Sequence, residues 1–165
     1  MLLKIKNVIF GIIYFFVIVY LVIYIPCLWG SKPLVIMSGS MEPILKVGGI
    51  LYYEEIDLND FKDNDILVYQ TRDHIISHRI VDIIDLNFVT KGDANNTFDS
   101  NLVNENQVLG RGTDWSIPYI GYYADFIYNH KYLLYISLGL IVVDICNDIY
   151  KQHKKKEGAK LEKGT

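Results

Sequence analysis

Twenty-one consecutive residues without a charge, "VIFGIIYFFVIVYLVIYIPCL" from Val8 to Leu28, constrain this chain more than any other feature. A bilayer core about 30 Å thick takes roughly 20 helical residues, so the run predicts a transmembrane helix. It is longer than the ~7–15-residue apolar region of a cleaved secretory leader, and no small-x-small cleavage site follows it. Pro26 predicts a kink or a stop in the last turn. A second apolar run, "YLLYISLGLIVVDICNDIY" from Tyr132 to Tyr150, predicts a second span. Asp144 interrupts it, and a carboxylate at mid-bilayer costs ~2.5–3.5 kcal/mol. Its place toward the C-terminal end of the run puts it near the interface. A buried or interfacial helix is the alternative for this segment.

Charge then orients the chain. Lys4 and Lys6 precede the first run, and Lys151, Lys154, Lys155, Lys156, Lys160 and Lys163 follow the second, against Glu157 and Glu162. Between the runs, residues 31–130 carry 7 Lys and Arg against 15 Asp and Glu, a net of −8 that the overall −3 conceals. Lys and Arg close to membrane ends favour the cytoplasmic side. The expected layout is a cytoplasmic N-terminus (1–7), a transmembrane helix (8–29), a domain outside the membrane (30–130), a second transmembrane helix (131–150) and a basic cytoplasmic tail (151–165). The tail reads as a topology signal with a disordered end, contact with anionic lipid being the alternative. Both cysteines, Cys27 and Cys146, lie in or beside the apolar runs, so the outside domain depends on no disulfide. No Cys/His cluster has zinc spacing, and neither a metal nor another cofactor is expected.

Within 30–130, several short segments rich in β-branched and aromatic residues predict strands: 33–37, 49–55, 65–70, 74–84, 87–92 and 106–111. Turn formers separate them, and Asp85-Leu86-Asn87 reads as a tight hairpin connection. No helical period emerges before about Ile120. The fold class is mainly β, a small barrel- or sandwich-like domain between membrane helices.

The connector "MSGSMEP", Met37 to Pro43, is an odd way to leave a membrane. A serine hydroxyl is a weak nucleophile and needs a base within hydrogen-bond reach. The candidates outside the membrane are His74, His78, His130, Lys32, Lys46, Lys62 and Lys91. His74 and His78 have the same parity in one predicted strand and so share a face. His74 adjoins a turn, whereas His78 lies among Ile and Val, where a histidine is more often structural than catalytic. The loop "KGDANNTFDS" supplies Asp93 and Asp99. Either can orient a histidine, as the third member of a nucleophile–base pair does. A solvated Asp/Asn turn is the plainer reading. EF-hand spacing is absent, which disfavours a calcium loop.

"SGSMEP", then "SHRI", then "KGDANN", in that order, resembles the type I signal peptidases, and within them the ER-type branch of Sec11-like and SipW-like enzymes of peptidase family S26. The resemblance runs from about Val35 to Tyr122. It implies that Ser40, directly before Met41, is the nucleophile and that Ser38 helps hold the oxyanion through its hydroxyl. It implies that His78 stands where a lysine base stands in the usual bacterial enzymes, with Arg79 as the basic residue after it. It implies that Asp99 completes a triad while Asp93 supports the loop. Gly39 reads as backbone freedom between the two serines. The chain departs from the family at Gly48-Gly49 and Asn64-Asp65, where Gly-Asp is common, and at Ser100, where some relatives carry a second acid. Asn tolerates the left-handed backbone, so the change at Asn64 is mild.

The implied activity is that of a membrane-bound serine endopeptidase that removes signal peptides from secretory precursors at the outer face of the membrane. The implied partners are those precursors and the lipid bilayer, with accessory subunits an open matter and no nucleic acid. The implied location is a bacterial or archaeal cell membrane, or the ER membrane of a eukaryote. A non-enzymatic tethered β domain and a Ser/Lys peptidase are the rival readings.

Overall fold

The computed structural model describes residues 2–162. Met1 and Lys163, Gly164 and Thr165 of the basic tail lie outside the described residues. Residues Ile23–Phe126 form one compact unit, and the helical segments on either side form another.

The helical unit takes most of α1 (Leu2–Tyr24), the last residues of α2 (Gly121–Asn129) and α3 (Lys131–Glu162). The stretches Lys4–Trp29 and Lys131–Glu157 are long and apolar enough to cross a membrane, and little of their most apolar parts is buried. Side chains such as Ile9, Ile12, Phe15, Leu140 and Val142 are exposed. Apolar surface this extensive on a helix suits lipid as its solvent. Pro26 has the effect expected of it. The α-helix stops at Tyr24 and tightens into a 3-10 turn, Ile25–Trp29, which Gly30 ends with φ 91°. Asp144 has a partner that the sequence did not reveal, because Lys6 Nζ lies 2.5 Å from its Oδ1. The contact is a close charge pair without the alignment of a hydrogen bond. Pairing with an ammonium relieves much of the cost of a carboxylate that is only 9% exposed.

The other unit is one six-stranded antiparallel sheet. Its strands are β1 (Lys32–Val35), β2 (Ile50–Glu54), β3 (Ile66–Gln70), β4 (Ile75–Ile84), β5 (Asn87–Lys91) and β6 (Val108–Ile117), in the order β1-β2-β6-β3-β4-β5. The fold is mainly β, with all strands in a single sheet. The hairpin at Asp85-Leu86 is a two-residue connection with φ 48° and 60°, the double left-handed turn that matches strand twist. Asn64 takes φ 73°, as its tolerance of that conformation allows. The last strand differs from expectation. Asn106 and Gln107 belong to a 3-10 turn capped reciprocally by Asn104, and β6 begins at Val108 and continues to Ile117.

Alternation along β3 divides the core. Ile66 and Val68 join Ile36, Met41, Leu45 and Leu51 on one face. Leu67 and Tyr69 join Phe61, Ile80, Phe88 and Val103 on the other. A central strand buried on both faces reads as a continuous apolar run, and "ILVY" is one.

Candidate active site

One face of three neighbouring strands carries the site. On β4, His78 lies between Ile76 and Ile80, which both pack into the second core cluster. Across the ladder, Leu67 of β3 pairs with His78, Tyr69 with Ile76, and Thr90 of β5 with Ile80. Cross-strand partners share a face, so Tyr69, His78 and Thr90 point the same way. His78 is 8% exposed and Thr90 is fully buried.

Ser40 reaches this face from the irregular segment before β2. Met41 and Leu45, at 1% and 0% exposure, fasten that segment into the first core cluster. The Ser40 carbonyl accepts the Ala94 N–H at 2.8 Å, which ties it to the Lys-Gly-Asp loop. A Cβ on Gly92 would lie 2.6 Å from that carbonyl oxygen, so this turn position has no room for a side chain. At Gly39, by contrast, an added Cβ would make ordinary contact at 3.5 Å with Glu42, and φ there is not left-handed. The expected need for backbone freedom at Gly39 is therefore not met; the glycine that the geometry requires is Gly92.

Ser40 Oγ lies 3.0 Å from His78 Nε2, and His78 Nδ1 lies 2.6 Å from Asp99 Oδ2. Ser38 Oγ lies 3.3 Å from Ser40 Oγ. Asp93 does not touch the imidazole. It accepts two bonds from Arg79, from Nε at 2.8 Å and Nη2 at 2.7 Å, while Arg79 Nη1 donates to the Asn64 carbonyl at 2.7 Å. Consecutive residues of a strand face opposite sides, so β4 sends His78 to one acid and Arg79 to the other. The bond to Asp93 raises the Arg79 guanidinium above its ordinary value, and Arg79 stays charged.

Asp99 has further partners that the sequence gave no reason to pick out. Thr90 Oγ1 donates to its Oδ2 at 2.6 Å, and the Tyr69 hydroxyl donates to the same oxygen at 3.3 Å. The Tyr69 and His78 rings meet edge to face, with centroids 6.5 Å apart. Burial, and after it the Asp99 carboxylate, push the Tyr69 hydroxyl up to about 12, though the neighbouring Thr90 pulls the other way.

Of the other candidate bases, His74 borders the same cavity as Ser40 and His78, while Lys32 and Lys91 have partners of their own. His74 precedes β4, and its carbonyl accepts the Thr71 N–H and hydroxyl. Lys32 pairs with Glu55, and Lys91 Nζ sits over the Phe98 ring at 5.9 Å. Ser40 and His78 border an apolar cavity of about 660 Å³, whose walls include Leu34, Ile36, Met37 and Ile75. His78 also borders a second cavity of about 450 Å³ on the Asp99 side.

No protein-family model matches the chain. It is 32% identical over 128 residues to Signal peptidase I W of Bacillus subtilis (strain 168), a match that covers 69% of this chain and 67% of that protein. It is 30% identical over 130 residues to the signal peptidase complex catalytic subunit SEC11C of Homo sapiens, covering 68% and 67%. To the putative catalytic subunit SEC11B of Homo sapiens it is 31% identical over 130 residues, covering 68% and 78%. On these relationships, the chain belongs to the type I signal peptidase family.

Proposed function

We propose that this protein is a membrane-bound serine endopeptidase that removes signal peptides from secretory precursors at the outer face of the membrane, with Ser40, His78 and Asp99 as its catalytic group. The observation that carries the reading is the unbroken line of contacts from Asp99 through His78 to Ser40, at 2.6 and 3.0 Å, beside an apolar cavity.

In this reading, Ser40 Oγ attacks the carbonyl carbon of the last residue of the signal peptide. The Oγ–C bond forms as His78 Nε2 takes the hydroxyl proton, and the C–N bond breaks as that proton passes to the leaving amine. Water then hydrolyses the ester by the reverse use of the same base. Asp99 holds Nδ1–H, so the Nε2 lone pair faces the serine. The Ser40 N–H and the Ser38 hydroxyl hold the oxyanion, and a donor in that role is typically worth ~2.7–4 kcal/mol. With a neutral imidazole as base, activity falls as the ring is protonated. Asp93 orders the loop through Arg79 and takes no part in proton transfer.

The lysines flanking both spans support cytoplasmic termini and an outside catalytic domain. A signal peptide's apolar segment stays in the bilayer, and Ser40 lies only 12 positions beyond Leu28, so the short tether suits cleavage near the outer interface. The test is cleavage of a signal-peptide precursor by the purified full chain in liposomes. Ser40→Ala and His78→Ala should each lower kcat by roughly 10⁴-fold or more. Undiminished cleavage by Ser40→Ala would sink the enzyme reading, and undiminished cleavage by His78→Ala would move the base elsewhere.

A further inference from the structure

Asp99, like Ser40, stands on no strand of the sheet. It lies in the loop between β5 and the 3-10 turn at Glu105, and its side chain is 22% exposed. A carboxylate on such a loop has several rotamers and water to pair with, and nothing in its own backbone aims it at an imidazole. Buried groups on two strands do. Thr90 grips Asp99 twice: its carbonyl accepts the Asp99 N–H at 2.9 Å, and its hydroxyl donates to Oδ2 at 2.6 Å. The Tyr69 hydroxyl donates to Oδ2 from β3, on the other side of β4, and its ring lies against the His78 ring. His78 Nδ1, Thr90 Oγ1 and the Tyr69 hydroxyl thus converge on one carboxylate oxygen.

We propose that Thr90 and Tyr69 are positioning residues that act through Asp99, holding its Oδ2 on His78 Nδ1 and so fixing the tautomer that presents Nε2 to Ser40. The inference rests on the function proposed above and extends it to two side chains that touch neither substrate nor the reacting atoms. The two differ in strength. Thr90 makes the short bond and a second backbone tie, so it is the principal clamp. Tyr69 makes the longer bond and adds a wall that stops the imidazole from tilting. The high value of the Tyr69 hydroxyl keeps it a donor across the pH range in which such an enzyme works.

The test uses the full chain in detergent micelles. Thr90→Val keeps the shape and deletes the donor, and it should lower kcat about tenfold with KM nearly unchanged, because the lost bond serves a charged group. Thr90→Ser restores the hydroxyl and should recover most of the rate. Tyr69→Phe should lower kcat about threefold. A second readout separates positioning from mere packing. In ¹⁵N-histidine-labelled protein, the downfield Nδ1–H resonance absent from His78→Ala should persist in Thr90→Ser and weaken or vanish in Thr90→Val. If Thr90→Val does not fold, Tyr69→Phe carries the same pair of measurements. Wild-type kcat and an unchanged resonance in Thr90→Val and Tyr69→Phe overturn the proposal. So does a Thr90→Ser variant as slow as Thr90→Val, because the hydroxyl is then not what acts. Ser40→Ala and His78→Ala in the same assay keep the two hypotheses apart. If they are inactive while Thr90→Val and Tyr69→Phe are at full rate, only the clamp fails. If Ser40→Ala is active, the proposed function fails first.

Discussion

Gly92 shows how much a residue without a side chain contributes here. The Lys-Gly-Asp turn packs on the main chain of Ser40, and an added Cβ would meet the Ser40 carbonyl at 2.6 Å and Asn95 Nδ2 at 2.8 Å. Neither neighbour is the end of a long flexible chain, so Ser40 or the turn must move. Misplacement of a reacting group by about 1 Å costs on the order of 10²-fold. Gly92→Ala is expected to lower kcat by about that factor while circular dichroism shows the sheet intact; a variant within twofold of wild type would mean that the turn yields instead. The same scale shows where the sequence was legible. Ser40, His78, Asp99, Ser38 and Asp93 stand in ordered motifs, and the structure gathers Ser40, His78, Asp99 and Ser38 within a few bonds of one another. Which acid meets the imidazole was not legible from local pattern, because both lie in one loop; the alternation of His78 and Arg79 along β4 separates them. Tyr69 and Thr90 left no signal at all, since Tyr and Thr are what any strand prefers. Gly39 drew attention as the glycine between two serines, yet close approach of distant backbone, which sequence does not display, singles out Gly92.

At the level of elements, the sheet works as a ruler. β3, β4 and β5 fix Tyr69, His78 and Thr90 on one face by register alone, and a one-residue slip would turn each of them away. The strands were legible where apolar and β-branched residues are dense, as in "ILVY" and "IISHRIV". The far half of β6 was not, because Gly112 and Asp114 dilute the pattern; pairing of Gly112 with β2 and β3 and of Ser116 and Ile117 with β2 holds that half in the sheet. The load on β3 makes its core side chains the sensitive ones. Leu67 is fully buried and pairs with His78 across the ladder. Leu67→Ala should destabilise the domain by about 2–5 kcal/mol, read by thermal or denaturant unfolding, with a smaller loss of kcat in molecules that remain folded. A change below ~1 kcal/mol would show that the second core cluster collapses readily into the space.

For the molecule as a whole, the helices pose a different question from the sheet, because the surface they expose is largely apolar. The first apolar helix was plain from length and the absence of charge. The second was obscured by Asp144, whose countercharge sits 138 residues away in sequence, at Lys6. The two partners are not equivalent. The Lys6 side chain is 35% exposed and that of Asp144 is 11% exposed. A lysine deprived of its partner can extend its stem toward the headgroups, whereas a short carboxylate has no such reach. Lys6→Ala is therefore expected to impair placement of the C-terminal tail more than Asp144→Asn does. Labelling of a cysteine introduced into the tail, in sealed vesicles of each orientation, measures this, and equal behaviour of the two variants would count against the pair.

That pairing also bears on the order of manufacture. Chains are synthesised from the N-terminus, so in the proposed two-span layout Lys6 stands at the cytoplasmic end of its helix long before the acid-bearing helix leaves the ribosome. The later helix is then delivered to a countercharge already in place. In that layout the first helix acts as a receiving dock for the second, and the acidic helix transplanted alone behind an unrelated anchor would arrive with its carboxylate unanswered.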